Sequence, residues 1–219
     1  MMELDKIKLI AAEQMKDKRS HSWKERGNKY YHGERVAKLV ITLRKLIFPD
    51  DCSHDDILTA AAWFHDIANG GNNHGTAGAE LARTLFGGCC SQAEIDEICG
   101  IIAVHDDRQC DHTDLSDWVK IHQDADHLDH FGTFDIWMNF LYAVPHDETI
   151  NDVSNYLVIE RPLDFSRYRD ELNFEVSRAI YDDKVEFLKN FTARFAMESD
   201  GEIWDMDEII KGANGEDSV

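Results

Sequence analysis

Apolar residues recur at helical spacing along most of the chain, and several of the stripes they form end in a histidine or an aspartate. Over residues 3–18, Leu4, Ile7, Ala11 and Met15 share one face and predict an amphipathic helix. Residues 19–31, RSHSWKERGNKYY, mix charge, Gly27 and aromatics without a period and read as a loop bordering a site. From His32 the period resumes through Val36, Leu39, Val40, Leu43 and Ile47, until Phe48-Pro49 stops it. Ser53, with Asp56 three residues on, reads as a capping-box start for the next helix. That helix carries ILTAAAWFHDI, Ile57 to Ile67, and Asn69-Gly70-Gly71 halts it.

The pattern then repeats. His74 opens a small-residue helix with Ala77, Leu81 and Leu85 on one side, and Gly75, Gly78 and Ala79 permit close helix approach. After Gly87-Gly88, Ile95, Ile98, Ile101 and Ile102 lead to His105, and further on Val119, His122 and Asp126 share a face. Phe131, Phe134, Met138 and Leu141 continue towards Pro145. A less regular segment through Arg161-Pro162 follows, with strand-like alternation only near Tyr156 to Ile159. Residues 171–196 predict a long amphipathic helix with Ile180, Leu188, Phe191 and Phe195 inward, and the acidic stretch from Glu198 predicts a frayed tail. The expected fold class is therefore all-α: a single-domain helical bundle over residues 1–196, with a core at about 30–140, a helical extension at 145–196 and an acidic tail at 197–219.

A formal charge of −20 argues against nucleic acid and membrane as partners, since both require a positive surface. A phosphorylated ligand then needs positive charge concentrated locally. The five cysteines form no C-x-x-C pair and read as free thiols of a reducing compartment. The opening MMELDKIKLIAAEQMKDKR is charged and amphipathic, with no apolar signal-peptide core, and no run approaches the roughly 18 residues of a membrane span. The expected location is cytoplasmic.

Polar residues at the ends of buried stripes carry the chemistry. Burying His65 and Asp66 side by side without partners costs several kcal/mol, which a metal ion would offset. His32 and His105 prolong two other stripes, and Asp126 a third. Each has a bland reading: a lone His32 is a core histidine on a backbone carbonyl, and His74 in a first helical turn is solvated. Asp106 and Asp107 read as solvated loop charges, and Asp124 and Asp129 as surface acids or supports for a ligand.

Three stretches taken together, YYHGERVAKL, AAAWFHDIAN and KIHQDADHLDHFG, resemble the HD family of metal-dependent phosphohydrolases, whose pattern is H…HD…D on a helical bundle. NNHGTAGAELA and IIAVHDD resemble the additional histidine segments of members with the two-metal H…HD…H…H…D set. The closing FEVSRAIYDDKVEFLKNFTARF is similar to the final helix of small bacterial HD hydrolases. The resemblance implies an HD-type bundle with His32, His65, Asp66, His74, His105 and Asp126 as metal ligands. Asp66 then bridges two ions, and Asp126 is preferred over Asp124 because the family uses the second acid of its D-x-D.

The implied activity is metal-dependent cleavage of a phosphate ester or phosphoanhydride of a small molecule, a nucleotide above all, with metal-activated water and with His65, Asp66, His105 and Asp126 as catalytic residues. No G-x-S-x-G or P-loop supplies another route. Lys29, Arg35, Arg108 and Arg178 are the candidate substrate-binding cations, with a surface role the alternative for Arg35. Two ions favour iron or manganese, magnesium remains compatible, and no organic cofactor is expected. The competing readings are a mixed-valent di-iron oxygenase resembling inositol oxygenase and a non-catalytic metal-binding regulatory domain.

Overall fold

The computed structural model describes residues 2–68, 73–107 and 114–214, and every regular element among them is helical. In chain order these are α1 (Leu4–Met15), α2 (Asn28–Ile47), α3 (Asp55–Phe64), α4 (His74–Leu85), α5 (Gln92–Ala103) and α6 (Asp117–Asp129). Then follow α7 (Thr133–Ala143), α8 (Ile150–Asn155), α9 (Phe165–Asp170), α10 (Glu175–Ser199) and α11 (Met206–Ala213).

Helix α3 is the centre of the packing. Its ten residues include Ile57, Leu58, Ala60, Ala61, Ala62 and Phe64, all buried, so it is apolar nearly all round and must be enclosed. Helices α1, α2, α5 and α6 enclose it, α2 also packs on α6, and α4 packs on α5. Leu58 and Phe64 are fully buried, each stabilising the fold by about 1.5–3 kcal/mol.

Two glycines set how closely helices meet beside the histidines. A Cβ at Gly33 would lie 2.9 Å from the Ala62 carbonyl oxygen, and one at Gly75 would lie 2.8 Å from that of Ala103. Gly33 thus lets α2 close on α3 where His32 meets His65, and Gly75 lets α4 close on the end of α5 where His74 meets His105. Any side chain at either glycine would drive backbones apart.

Four local expectations change. Ser53 does not cap α3: its hydroxyl bonds Asp51, and the helix begins after His54 without a side-chain cap. The alternation near Tyr156 is a π-helical turn, Tyr156–Glu160, that buries Leu157 and leaves Val158 and Ile159 exposed. Helix α2 starts at Asn28, inside the expected loop, and α10 starts at Glu175 rather than 171. The acidic stretch after residue 197 completes α10 and adds α11, whose Met206, Ile209 and Ile210 are exposed. Cys52, Cys89, Cys90 and Cys99 are free thiols, and Cys110 lies outside the described residues. Among the described residues no helix is long and apolar enough to cross a membrane.

Candidate metal centre

Helices α2, α3, α4, α5 and α6 deliver His32, His65-Asp66, His74, His105 and Asp126 to one cavity of about 210 Å³. His65 and Asp66 follow the last residue of α3, and His105 follows α5 after one turn, so each leaves its helix pointing past the end of the apolar stripe. Four sets of donor atoms gather there within 4.8 Å of one another: His32, His65 and Asp66; His65, His105 and Asp126; Asp66, His74 and His105; and His32, Asp126 and His130. Asp66 belongs both to a set with His32 and His65 and to one with His74 and His105.

The outer ring nitrogens fix which atoms face inward. His65 Nδ1 lies 2.8 Å from the Ala62 carbonyl and His105 Nδ1 2.7 Å from that of Ile102. A carbonyl oxygen can only accept, so both Nδ1 atoms carry the proton and, in the neutral rings, both Nε2 lone pairs face the cavity. His74 Nδ1 is 3.1 Å from the Asp106 carboxylate, and His32 Nδ1 is 2.7 Å from that of Asp129. The Nε2 atoms then meet in pairs: His32 and His65 at 3.1 Å, His74 and His105 at 3.2 Å. With both rings of a pair neutral, two facing lone pairs at such distances repel unless a proton or a metal cation is shared between them, and the donor set of imidazoles and carboxylates fits a divalent transition metal.

The electrostatics agree with that reading. Burial opposes charge on His32, but its hydrogen bonds to Asp126 and Asp129 outweigh it and raise its pKa to about 9. Burial, with His65 nearby, lowers that of His105 to about 4. Burial also opposes ionisation of Asp126 and Asp66. Hydrogen bonds from His130, His32 and His65 nevertheless hold Asp126 well below the usual carboxylate range, and the charges of His65 and Lys29 lower Asp66.

A proton on His32 thus stands in for a cation in the metal-free protein. Its stabilising effect is complete below the unfolded imidazole value of 6.5 and is lost as pH rises through about 9. His105 is the reverse: its contribution is present above 6.5 and lost as pH falls through about 4. Cation binding at pH 7 should therefore release about one proton, from His32, measurable by titration calorimetry in buffers of different ionisation enthalpy. His32→Gln should abolish the release, and a release unchanged in that variant would disprove the assignment.

The remaining sequence candidates are placed as follows. Lys29 Nζ donates to the carbonyls of Asp66 and Ala68 at 3.0 Å each and lies 3.7 Å from the Asp66 carboxylate, so it fixes the turn carrying the central ligands. Arg35 holds Asp129 through Nε and Nη2 and stacks on Phe134. Arg178 donates to the Leu172 carbonyl and pairs with Glu175, and it is not among the residues lining the cavity. Arg108 lies outside the described residues.

Of the acids read as solvated, surface or supporting groups, Asp106 is exposed as expected, while Asp124 and Asp129 are not surface acids. Asp129 and Asp124 are buried, the former behind His32 and the latter at the start of α10, and Asp106 orients His74. His130, four residues after Asp126 and 3.5 Å from it, joins His127 in lining both the metal cavity and a larger chamber of about 980 Å³. The i, i+4 spacing was the available signal for His130. Trp23, Tyr142, Tyr156, Tyr168 and the buried Asp135–Arg161 pair also line the chamber.

The helical bundle that brings these histidines and aspartates to one cavity has the fold of solved HD superfamily hydrolases. Among solved structures, an HD-superfamily hydrolase from Bacillus thuringiensis is similar at a TM-score of 0.65 and 19% identity, over 91% of this chain and 97% of that one. Bacillus subtilis YpgQ, in its complex with ADP, is similar at 0.63 and 20%, over 94% and 97%. A predicted HD superfamily hydrolase from an uncultured Thermotogales bacterium is similar at 0.60 and 23%, over 90% and 93%. The chain matches no protein-family model. No curated protein matches it either.

Proposed function

We propose that the protein is a metal-dependent phosphohydrolase, cleaving a phosphate ester or phosphoanhydride of a small molecule, with a nucleotide as the favoured substrate. The observation that carries this reading is the pairing of Nε2 atoms across one cavity while each Nδ1 is tied to an oxygen. The ADP bound to YpgQ supports the nucleotide class. His32, His65, Asp66 and Asp126 would hold one ion and Asp66, His74 and His105 a second. The reading takes residues 1–196 as one domain and 197–219 as an appendage.

A divalent ion bound here supplies Lewis acidity, lowering the pKa of water towards neutrality and polarising a phosphoryl oxygen. The chain does the rest. Asp129 and Asp106 orient His32 and His74, Lys29 fixes the Asp66 turn, and His130 stands where a leaving group would pass into the chamber.

The test is metal content of anaerobically purified protein, followed by a nucleotide and phosphate-ester panel with and without O₂. Release of phosphate or pyrophosphate irrespective of O₂ is the expected result. Substrate consumption that requires iron and O₂ would instead establish the oxygenase reading, and metal binding without turnover a regulatory domain. Two equivalents in the wild type, falling to one in His74→Ala, are expected; one equivalent in both would remove the second ion.

A further inference from the structure

Loop residues 20–24 and the opening of α2 line another cavity, of about 470 Å³, that shares Asp66 and His74 with the candidate metal cavity. Ser20, His21, Lys24, Asn28 and Lys29 line it together with Asp66 and His74. Lys24 is the unusual member. Other buried or half-buried cations find an oxygen, as Arg44 does on Asp55, Arg161 on Asp135 and Lys184 on the Phe131 carbonyl. Lys24 is half buried, yet among the described residues its Nζ makes no hydrogen bond or ion pair: it has the face of Trp23, 5.3 Å from the ring centroid, and at longer range the charge of Asp66.

In a chain of charge −20, acidic partners are abundant, so a half-buried lysine with no carboxylate at ion-pair distance leaves its charge available to a ligand. An anionic ligand removes the difficulty. The larger chamber offers no such place: Asp135, Glu148, Asp152 and Glu160 face it against the single cation Arg161, a field that repels phosphate.

We propose that Lys24, with His21 and Asn28 beside it, is an anion subsite that takes a second phosphoryl group of a substrate whose first phosphoryl group is held at the His/Asp centre. The inference rests on the phosphohydrolase reading for the location of that first group. It makes the substrate a phosphoanhydride rather than a monoester, with its phosphates extending from Asp66 and His74 towards Lys24 and its organic part turned to the aromatic chamber.

The experiment is calorimetric binding of inorganic pyrophosphate and of orthophosphate to the full, metal-loaded chain, with metal in saturating excess. Wild type should bind pyrophosphate at least about tenfold more tightly, the effect of one desolvated charge contact. Lys24→Gln should lose that preference with orthophosphate affinity unchanged, and Lys24→Arg should keep it. Equal binding of the two anions by wild type, no binding of either, or an intact preference in Lys24→Gln would overturn the subsite. Because the readout is binding, a protein that prefers pyrophosphate through Lys24 yet hydrolyses nothing would refute the hydrolase reading and leave the subsite standing.

Discussion

Asp126→Ala should strip the first metal and lower phosphohydrolase activity by about a thousandfold or more, the loss of several kcal/mol of transition-state charge stabilisation. Asp126 lies in α6, 3.0 Å from His32 Nε2 and 3.6 Å from His65 Nε2, so its carboxylate reaches both imidazoles of the proposed first site. No neighbouring acid can replace it. Asp129 is already engaged by His32 Nδ1 and by Arg35, and Asp124 faces α10. Metal analysis and the hydrolysis assay on the same preparation decide the point: full metal occupancy and activity in Asp126→Ala would mean that the centre closes on another group, such as His130, 3.5 Å from Asp126. The variant also leaves His32 without one of the two partners that raise its pKa to about 9, so its residual proton should be lost at lower pH than in the wild type.

How far the sequence alone carries such an argument depends on the reach of the interaction. His32, His65, His105 and Asp126 were legible because each extends an apolar stripe of its own helix by one polar position, a local signal that the packing of α2, α3, α5 and α6 then uses. The all-helical fold was legible for the same reason. What supports the ligands was left open: Asp129 read either as a surface acid or as a support for a ligand. Asp129 meets His32 across 97 residues of chain, and Asp106 meets His74 across an interhelical contact set by Gly75. No periodicity distinguishes such a carboxylate from a solvated one. The alternation near Tyr156 misled because a π-helical turn also exposes successive apolar side chains, here Val158 and Ile159. Lys24 sat in a segment without any period, where burial depends entirely on what α2 and the metal cavity place beside it.

Asp124→Ala, two residues from the proposed ligand, should do the opposite of Asp126→Ala: retain metal, and unfold at a temperature lower by roughly 10 °C, corresponding to about 3 kcal/mol in a chain of this size. Asp124 is completely buried, and its carboxylate accepts from the Asn173 backbone N–H at 2.8 Å, the Asn173 side-chain amide at 2.9 Å and the Phe174 backbone N–H at 3.1 Å. Those donors sit at the threshold of α10, whose Tyr181, Val185 and Leu188 seal the bundle, and the first turn of α10 has no other side-chain cap. Removal leaves the Asn173 and Phe174 backbone donors without this acceptor, each costing about 1–3 kcal/mol, while the Asn173 amide keeps the Lys120 carbonyl and Gln123 Oε1 at 3.4 Å. The sum is reduced because Asp124 itself resists burial as a charge, which raises its pKa. Asp124→Asn keeps an acceptor for part of that set and should recover part of the loss. Thermal denaturation followed by circular dichroism, with metal content measured on the folded protein, separates the two roles: metal loss in Asp124→Ala without a change in melting temperature would make Asp124 the ligand and Asp126 its neighbour.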